Sequence, residues 1–397
     1  MKMNGLKTWI GIDKKAVQRN IQLFRKLVGG KTKIFAVVKS NAYGHGLLTF
    51  SKLANSFRVD PHTKRGGMGK FKAPRYGVGV DGFCVDSVIE GMKLREEGIE
   101  KTILVLGPTF KNLLKDAAKN DITITISGMD ALKELKASKY HPEFHLKIDT
   151  GMHRQGFYVE QLPEVIRQVK SLKFNVESLL TGAYTHFASA KDVNYPTFTD
   201  GQFAEFQKAV RVLEKAGFKN LTKHAAATGG TLVNKKYHLD AVRIGIGLYG
   251  LWPSTELGIQ MEKIKLEPVL SWHSLVSEVK EVAAGDYVGY DLTERVARNS
   301  RIAVVPIGYW HGYPRSLSGV GEVLISGKKS RVLGRVSMDM IVIDVTGMKV
   351  KRGDKVTLIG NQGSAEMSAY EVARRAGGAS YYELLTRINP LIEMVVK

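Results

Sequence analysis

Residues 33–46 read KIFAVVKSNAYGHG. A continuous apolar run, the mark of a strand buried on both faces, ends directly in Lys39 and a small polar turn carrying Tyr43. An inward amine at the end of a buried strand is costly unless it is neutralised, paired or used. Seven further strand-like runs follow: GFCVD (82–86), TILVL (102–106), ITITI (122–126), FHLKID (144–149), LLTGAYTH (179–186), TKHAAA (222–227) and AVRIGIGLYG (241–250). Amphipathic helical segments separate them. SVIEGMKLREEG (87–98) sets Val88, Met92 and Leu94 on one face and stops at Gly98. DGQFAEFQKAVRVLEKAG (200–217) carries a stripe of Phe203, Phe206, Val210 and Leu213 and also ends in glycine. Eight strands alternating with helices give the count of a (β/α)8 TIM-type barrel.

Beyond residue 262 the pattern changes. VLSWHSLVSEVKEV (269–282), GEVLISGKKSRVLGRVSMDMIVIDV (321–345) and GDKVTLIG (353–360) are β patterns broken by glycine turns, followed by one short helix, SAYEVARRAG (368–377). The expected organisation is a barrel over 12–262 and a mainly antiparallel β domain over 263–397, joined by an N-terminal strand within 1–11. Residues 55–76, basic and glycine-rich, read as an exposed loop insertion. In 397 residues, 44% are hydrophobic and 24% charged, as in a soluble globular protein. No apolar run approaches the ~18 residues of a membrane span, and the first residues lack the apolar core of a signal peptide. Cys84 is the single cysteine, which excludes an intrachain disulfide and a cysteine-based zinc site. A cytoplasmic enzyme is the expectation. The net charge of +21 is scattered along the chain, dense only over 62–75, so a solvated basic surface is expected rather than nucleic-acid binding.

In such barrels the reactive groups gather at the C-terminal strand ends. Lys39, Lys147, Asp149, Arg154, His186, Thr228, Arg243 and Gly245 all fall there. With this convergence, six stretches bear a family likeness: AVVKSNAYGHG (36–46), LKIDTGMHRQG (146–156), YTHFASA (184–190), VRIGIGLYG (242–250), PIGYWHGYPRSLS (306–318) and GRVSMDM (334–340). In order and spread over nearly the whole chain, they resemble alanine racemase, which uses pyridoxal 5'-phosphate (PLP).

That resemblance implies a head-to-tail homodimer whose active sites are shared between subunits. Lys39 would bind the PLP aldehyde covalently and serve as one base. Tyr290, in YVGYDLT (287–293), matches the second base, reaching the site from the partner subunit; a phenol titrating near pH ~10 needs electrostatic help, and His186 and Arg243 match its neighbours. Arg243 would face the pyridine nitrogen, to which a guanidinium cannot yield a proton. Tyr43, Thr228, Gly245, Ile246 and Tyr382 match the phosphate shell, with Tyr381 as the alternative to Tyr382. Arg154 and the backbone at Met338 match the groups that receive the substrate carboxylate, and Lys147 matches a lysine that is carbamylated in many members. Ser337 before Met338 is an accepted variant of the family pattern; departures are Ala227 before Thr228, where many members have an asparagine-serine pair, and Lys191 in place of an acidic residue. No metal site is expected: His141 and His145 stand four apart in HPEFH, but its proline disfavours a helix. Alternatives are a serine or broad-specificity racemase, a PLP-dependent decarboxylase relying on a C-terminal cysteine, and a non-catalytic PLP carrier.

Overall fold

A computed structural model of the chain describes residues 5–57, 79–172, 176–378 and 380–397. Most of the basic insertion expected over 55–76 lies outside the described residues. The chain divides into two compact units. One comprises Lys15–Ala42 and Leu47–Glu267; the other comprises Met1–Lys14, Tyr43–Gly46 and Pro268–Lys397.

The first strand, β1 (Thr8–Ile12), belongs to the second of these units. Next come eight strands: β2 (Lys33–Val37), β3 (Gly82–Val85), β4 (Thr102–Val105), β5 (Ile124–Ile126), β6 (Phe144–Lys147), β7 (Leu180–Tyr184), β8 (Thr222–Ala227) and β9 (Ala241–Ile244). They form one parallel sheet in the order β4-β3-β2-β9-β8-β7-β6-β5. Its two ends meet: Val105 N–H donates to Thr123 O and Thr123 N–H to Ile103 O, each at 2.9 Å, so the sheet closes into the barrel. The (β/α)8 expectation holds. The strands end slightly earlier than the apolar runs suggest, since β2 stops at Val37 and β7 at Tyr184.

Helices cover this barrel through narrow apolar stripes. The longest, Pro196–Lys215, opens with Pro196 at its first position, where the missing N–H costs nothing. Phe203, Phe206 and Leu213 are buried as the spacing predicts, but Ala209 rather than Val210 fills the place between them. The helix Val88–Glu96 buries Val88, Gly91 and Leu94, with Ser87 capping its start. Gly91 is a packing site: a Cβ there would stand 2.9 Å from Ile122 Cδ1.

The other unit holds β10 (Leu270–Leu275), β11 (Glu278–Val282), β12 (Ser300–Val305), β13 (Glu322–Ile325), β14 (Lys328–Leu333), β15 (Ile341–Asp344), β16 (Lys355–Gln362), β17 (Ala365–Met367) and β18 (Glu393–Val396). Their order is β11-β12-β15-β14-β13-β16-β10-β1-β18, with β17 beside β16. Pairing is antiparallel except between β1 and β18. Thus β1 places Ile10 opposite Trp272 on one side and Met394 on the other. The inward faces of these strands supply the core, including the buried Ile10 and Trp272, and Tyr313 from the β12–β13 connection packs edge-on against Trp272 at 6.2 Å. Among the described residues no helix is long and apolar enough to cross a membrane.

Candidate active site

Lys39 follows β2 in a turn that no glycine relieves. Ser40, Asn41 and Ala42 hold φ of 55°, 56° and 52°, a left-handed backbone that costs ordinary residues about 1–2 kcal/mol each. The turn is tied down. Ala42 N–H donates to Val38 O at 2.8 Å, and Asn41 Oδ1 accepts from Leu47 N–H at 2.9 Å. Just before it, Tyr249 Oη donates to Val37 O at 2.7 Å. The Lys39 amine stands 3.6 Å from Asp86 Oδ1, and its side chain is 37% exposed.

Arg243, in β9, is the centre of a buried polar array. Its guanidinium donates to His224 Nδ1 at 2.5 Å, to Thr185 O at 2.7 Å and to Ala225 O at 2.9 Å, and it meets His186 Nδ1 at 3.3 Å. All four partners are neutral acceptors. The carboxylate pair that a merely structural arginine would form is absent from its bonds among the described residues. Because a guanidinium only donates, His224 Nδ1 must accept, which leaves the proton on Nε2. That nitrogen in turn faces His145 Nδ1 at 2.9 Å. Tyr184 stacks on His224, with ring centroids 4.8 Å apart, and its hydroxyl meets Thr125 Oγ1 at 2.9 Å. Burial first, and then the Arg243 charge, pushes His186 and His224 well below the ordinary histidine range and His145 down to about 3. These imidazoles are neutral acceptors or donors, never cations, at neutral pH.

Lys147 ends β6 two residues beyond His145, so both point inward by strand alternation. Its amine lies over the Tyr184 ring, 4.9 Å from the centroid. Burial, with Arg243 and Arg154 nearby, drives it well below the usual lysine range, against the opposing pull of Asp149. Asp149 organises the loop that carries Arg154. One carboxylate oxygen accepts from the N–H groups of Gly151, Met152 and His153 at 2.9, 3.0 and 3.1 Å. Burial alone would raise its carboxyl, but these three bonds hold it below the ordinary range. The loop returns beside β6, where Phe157 N–H donates to Lys147 O at 2.9 Å. Gly156 is required there, with φ +126° and space for a Cβ only 2.6 Å from Asp149 N. Arg154 sits exposed at the tip of this loop.

Thr228, just past β8, is buried, and its Oγ1 accepts from Gly245 N–H at 3.2 Å and Gly247 N–H at 3.3 Å. Accepting twice, the hydroxyl is left as a donor. Ile246 lies between the two glycines and is buried. A Cβ on Gly247 would stand 2.5 Å from Phe24 Cζ and 2.7 Å from Thr228 Cγ2, so the backbone approaches closely because it is bare. Cys84, in β3, is fully buried and its thiol is pushed up to about 12.

The remaining candidates belong to the other unit. Tyr43 and Tyr382 face each other with centroids 6.1 Å apart, whereas Tyr381 stacks on Tyr382 at 5.1 Å and meets Tyr370 at 6.5 Å. Burial, then Tyr381 and Tyr43, raises the Tyr382 phenol far above its usual range. Tyr290 stands at the tip of a hairpin closed by Gly285 N–H to Val296 O at 2.8 Å and Val288 N–H to Glu294 O at 2.9 Å. It is 68% exposed. Positive φ at Gly289, Asp291 and Leu292 and an Asp291–Arg335 ion pair of 3.4 Å shape that tip. Met338, also exposed, lies in a turn whose carbonyl accepts from Trp310 N–H at 3.0 Å.

His224 and Asp149 are the parts that sequence reasoning left without a role. A signal for them existed, since polar residues occupy inward positions on successive barrel strands. The two histidines brought to about 3, His145 and His273, carry a consequence for stability. Unfolded, each takes a proton near 6.5; folded, only near 3. The unfolded chain therefore binds more protons between these values, so stability is complete above pH 6.5 and falls as pH drops toward 3. Each costs about 1.4 kcal/mol per pH unit in that window. Urea midpoints should fall steeply from pH 7 to pH 5; a flat profile contradicts the neutral burial of these rings.

The model of the alanine racemase N-terminal domain matches residues 12–60 and 66–253, and that of the C-terminal domain matches 269–396. The chain is 33% identical over 400 residues to an alanine racemase of Leptospira interrogans, covering 98% of this chain and 95% of that protein. A crystal structure of alanine racemase from Bacillus anthracis with bound L-Ala-P superposes with a TM-score of 0.87 at 33% identity, covering 99% of this chain and 95% of the other. A histidine racemase from Leuconostoc mesenteroides superposes at 0.82 with 27% identity over 99% of both chains. Two domain models in order, a relative matched nearly end to end and the same barrel-plus-sheet architecture agree, and the chain belongs to the alanine racemase family.

Proposed function

We propose that this chain is a PLP-dependent racemase that interconverts L- and D-alanine by a two-base mechanism, in the cytoplasm, supplying D-alanine for peptidoglycan. The observation that carries the reading is Arg243, a buried guanidinium whose bonds among the described residues go to neutral acceptors. At the barrel mouth the buried Thr228 hydroxyl accepts from the Gly245 and Gly247 N–H groups and keeps its own proton to donate. Such a donor set suits a phosphorylated anion with an aromatic nitrogen, so the residues fit PLP.

Lys39 would hold the cofactor covalently. Thr228, the backbone at Gly245 and Ile246, Tyr43 and Tyr382 would receive its phosphate; the Tyr43–Tyr382 pairing favours Tyr382 over Tyr381. When bound, PLP withdraws electrons from the substrate's α-carbon and acidifies its C–H bond. Arg243 would donate a hydrogen bond to the ring nitrogen without giving up a proton, which would limit that withdrawal and disfavour side reactions. Arg154 and the backbone at Met338 would hold the substrate carboxylate. The amine of Lys39 takes or returns the α-proton on one face and the phenolate of Tyr290 on the other, with His186 as a neutral neighbour. Tyr290 comes from a second copy of the chain in a homodimer. Support for this is its exposure at a hairpin tip in a unit that also exposes the apolar Leu292, Tyr309, Trp310, Met338 and Met340. Neither nucleic acid nor membrane enters the reading.

Lys147 would be carbamylated. Its surroundings favour the neutral amine, the form that attacks CO2, losing a proton as the carbamate forms. The resulting anion would pair with Arg154 instead of repelling it. Carbon-13 NMR in labelled bicarbonate should show one carbamate signal that Lys147→Ala removes; an unmodified wild-type lysine contradicts this assignment.

A wider amino-acid range is the second reading, serine among the candidates, favoured by the likeness to a histidine racemase. The decarboxylase reading needs a reactive C-terminal cysteine, and Cys84 is a buried barrel thiol. Racemisation of single-enantiomer amino acids, with and without added PLP, tests the proposal. Alanine should turn over fastest and only with PLP; turnover without the cofactor, or none on any amino acid, contradicts it.

A further inference from the structure

The turn that presents Lys39 is held from outside by a carboxylate in the first turn of the helix that follows β3. Glu90 Oε1 accepts from Ser40 N–H at 2.9 Å, and its Oε2 accepts from Asp86 N–H at 2.7 Å. One side chain thereby ties the exit of β2 to the exit of β3. The local sequence shows how unusual this is. Ser87 caps the helix Val88–Glu96, and Glu90 N–H donates to Ser87 Oγ at 3.2 Å, so Ser87-x-x-Glu90 has the pattern of a capping box. In that motif the glutamate folds back onto the N–H of the capping residue itself. Here it reaches one residue earlier, to Asp86, and across to Ser40.

Asp86 is the carboxylate 3.6 Å from the Lys39 amine. It has room because β4 is followed by Gly107, where a Cβ would stand 2.3 Å from Asp86 O and 3.3 Å from its carboxylate. Ser40 is in turn the first of the left-handed residues after Lys39, none of them glycine. That backbone is strained, so the bond to its first N–H bears on where the lysine points.

We propose that Glu90 is a positioning residue for Lys39: by bridging Ser40 and Asp86 it sets the strained turn and the carboxylate that together aim the amine. This rests on reading Lys39 as the cofactor-bearing lysine. Glu90 touches neither cofactor nor substrate. Its effect passes through the backbone of Ser40 and the side chain of Asp86.

The test uses the full chain with Glu90→Ala, Glu90→Gln and Asp86→Asn. Amide exchange at Ser40 is measured without PLP, and cofactor dissociation is followed after loading. Loss of both charge-assisted bonds in Glu90→Ala should speed Ser40 exchange and weaken PLP retention by roughly ten- to hundredfold. Glu90→Gln, which keeps one acceptor oxygen, should restore part of each. Asp86→Asn retains its N–H and should leave Ser40 exchange within about twofold of wild type, separating the clamp from the loss of a charge. A merely structural Glu90 would shift the urea midpoint without changing retention at matched stability, and that result overturns the proposal. Borohydride trapping of the wild type decides where a failure lies. Label on Lys39 with unaltered exchange and retention in Glu90→Ala overturns this inference alone, whereas label on another lysine overturns the reading of Lys39 and this inference with it.

Discussion

Lys39→Ala is expected to lose racemisation by roughly four orders of magnitude or more, in both directions, because one substitution removes the covalent anchor and one of the two bases. The absorbance near ~420 nm expected of PLP attached to a lysine should vanish with it. The fold should survive. Lys39 is part-exposed, its ion pair with Asp86 spans 3.6 Å, and the turn is held through backbone and through Asn41 rather than through the amine. Far-UV circular dichroism and the urea midpoint should therefore match the wild type while the chromophore is gone. Retention of the absorbance would assign the linkage to another lysine, and Lys147, also at a strand end, would be the first to inspect.

Tyr290→Ala should be comparably inactive as a homodimer, since it removes the base from the other face. Its loss should be asymmetric between the enantiomers in single-turnover proton exchange, because Lys39 still serves its own face. The larger effect appears on mixing. If Tyr290 acts in trans, a heterodimer of Lys39→Ala with Tyr290→Ala keeps one site in which both groups are intact. Statistical reassortment then restores roughly a quarter of wild-type activity from two inactive proteins. If Tyr290 acted within its own chain, every site in the mixture would lack one base and nothing would return. The phenol is 68% exposed on a hairpin anchored by the buried Val288, Val296, Ile302 and Leu333, so its truncation removes no core contact.

Strand periods and glycine stops made the barrel legible. Each of the eight apolar runs is a strand, and of the polar residues at or past their ends Arg243 meets His186 while Arg243 and Lys147 both lie over the Tyr184 ring. Local pattern could not show how far each run stays in the sheet. His186 continues a strand-like run, yet β7 stops at Tyr184; Thr185 N–H still donates to His224 O at 3.2 Å, while Thr185 O and His186 Nδ1 meet Arg243. Nor could it fix helix rotation to one residue, so Ala209 rather than Val210 lies in the buried stripe. The array His145–His224–Arg243 joins β6, β8 and β9, residues far apart in sequence that meet only when the barrel closes. The left-handed residues Ser40–Tyr43 include no glycine to announce them; Glu90 ties the turn from the helix after β3, and bonds of Val38 and Asn41 hold it from within the segment. In the second unit, the pairing of Tyr43 with Tyr382 rather than Tyr381 depends on rotation of the short helix Tyr381–Thr386.

The most direct measurement is to reconstitute the protein with PLP, reduce it with borohydride and map the pyridoxyl group by peptide mass spectrometry. The account predicts a single modified site, Lys39. Label on Lys147 or on any other lysine, or none after reconstitution, contradicts it.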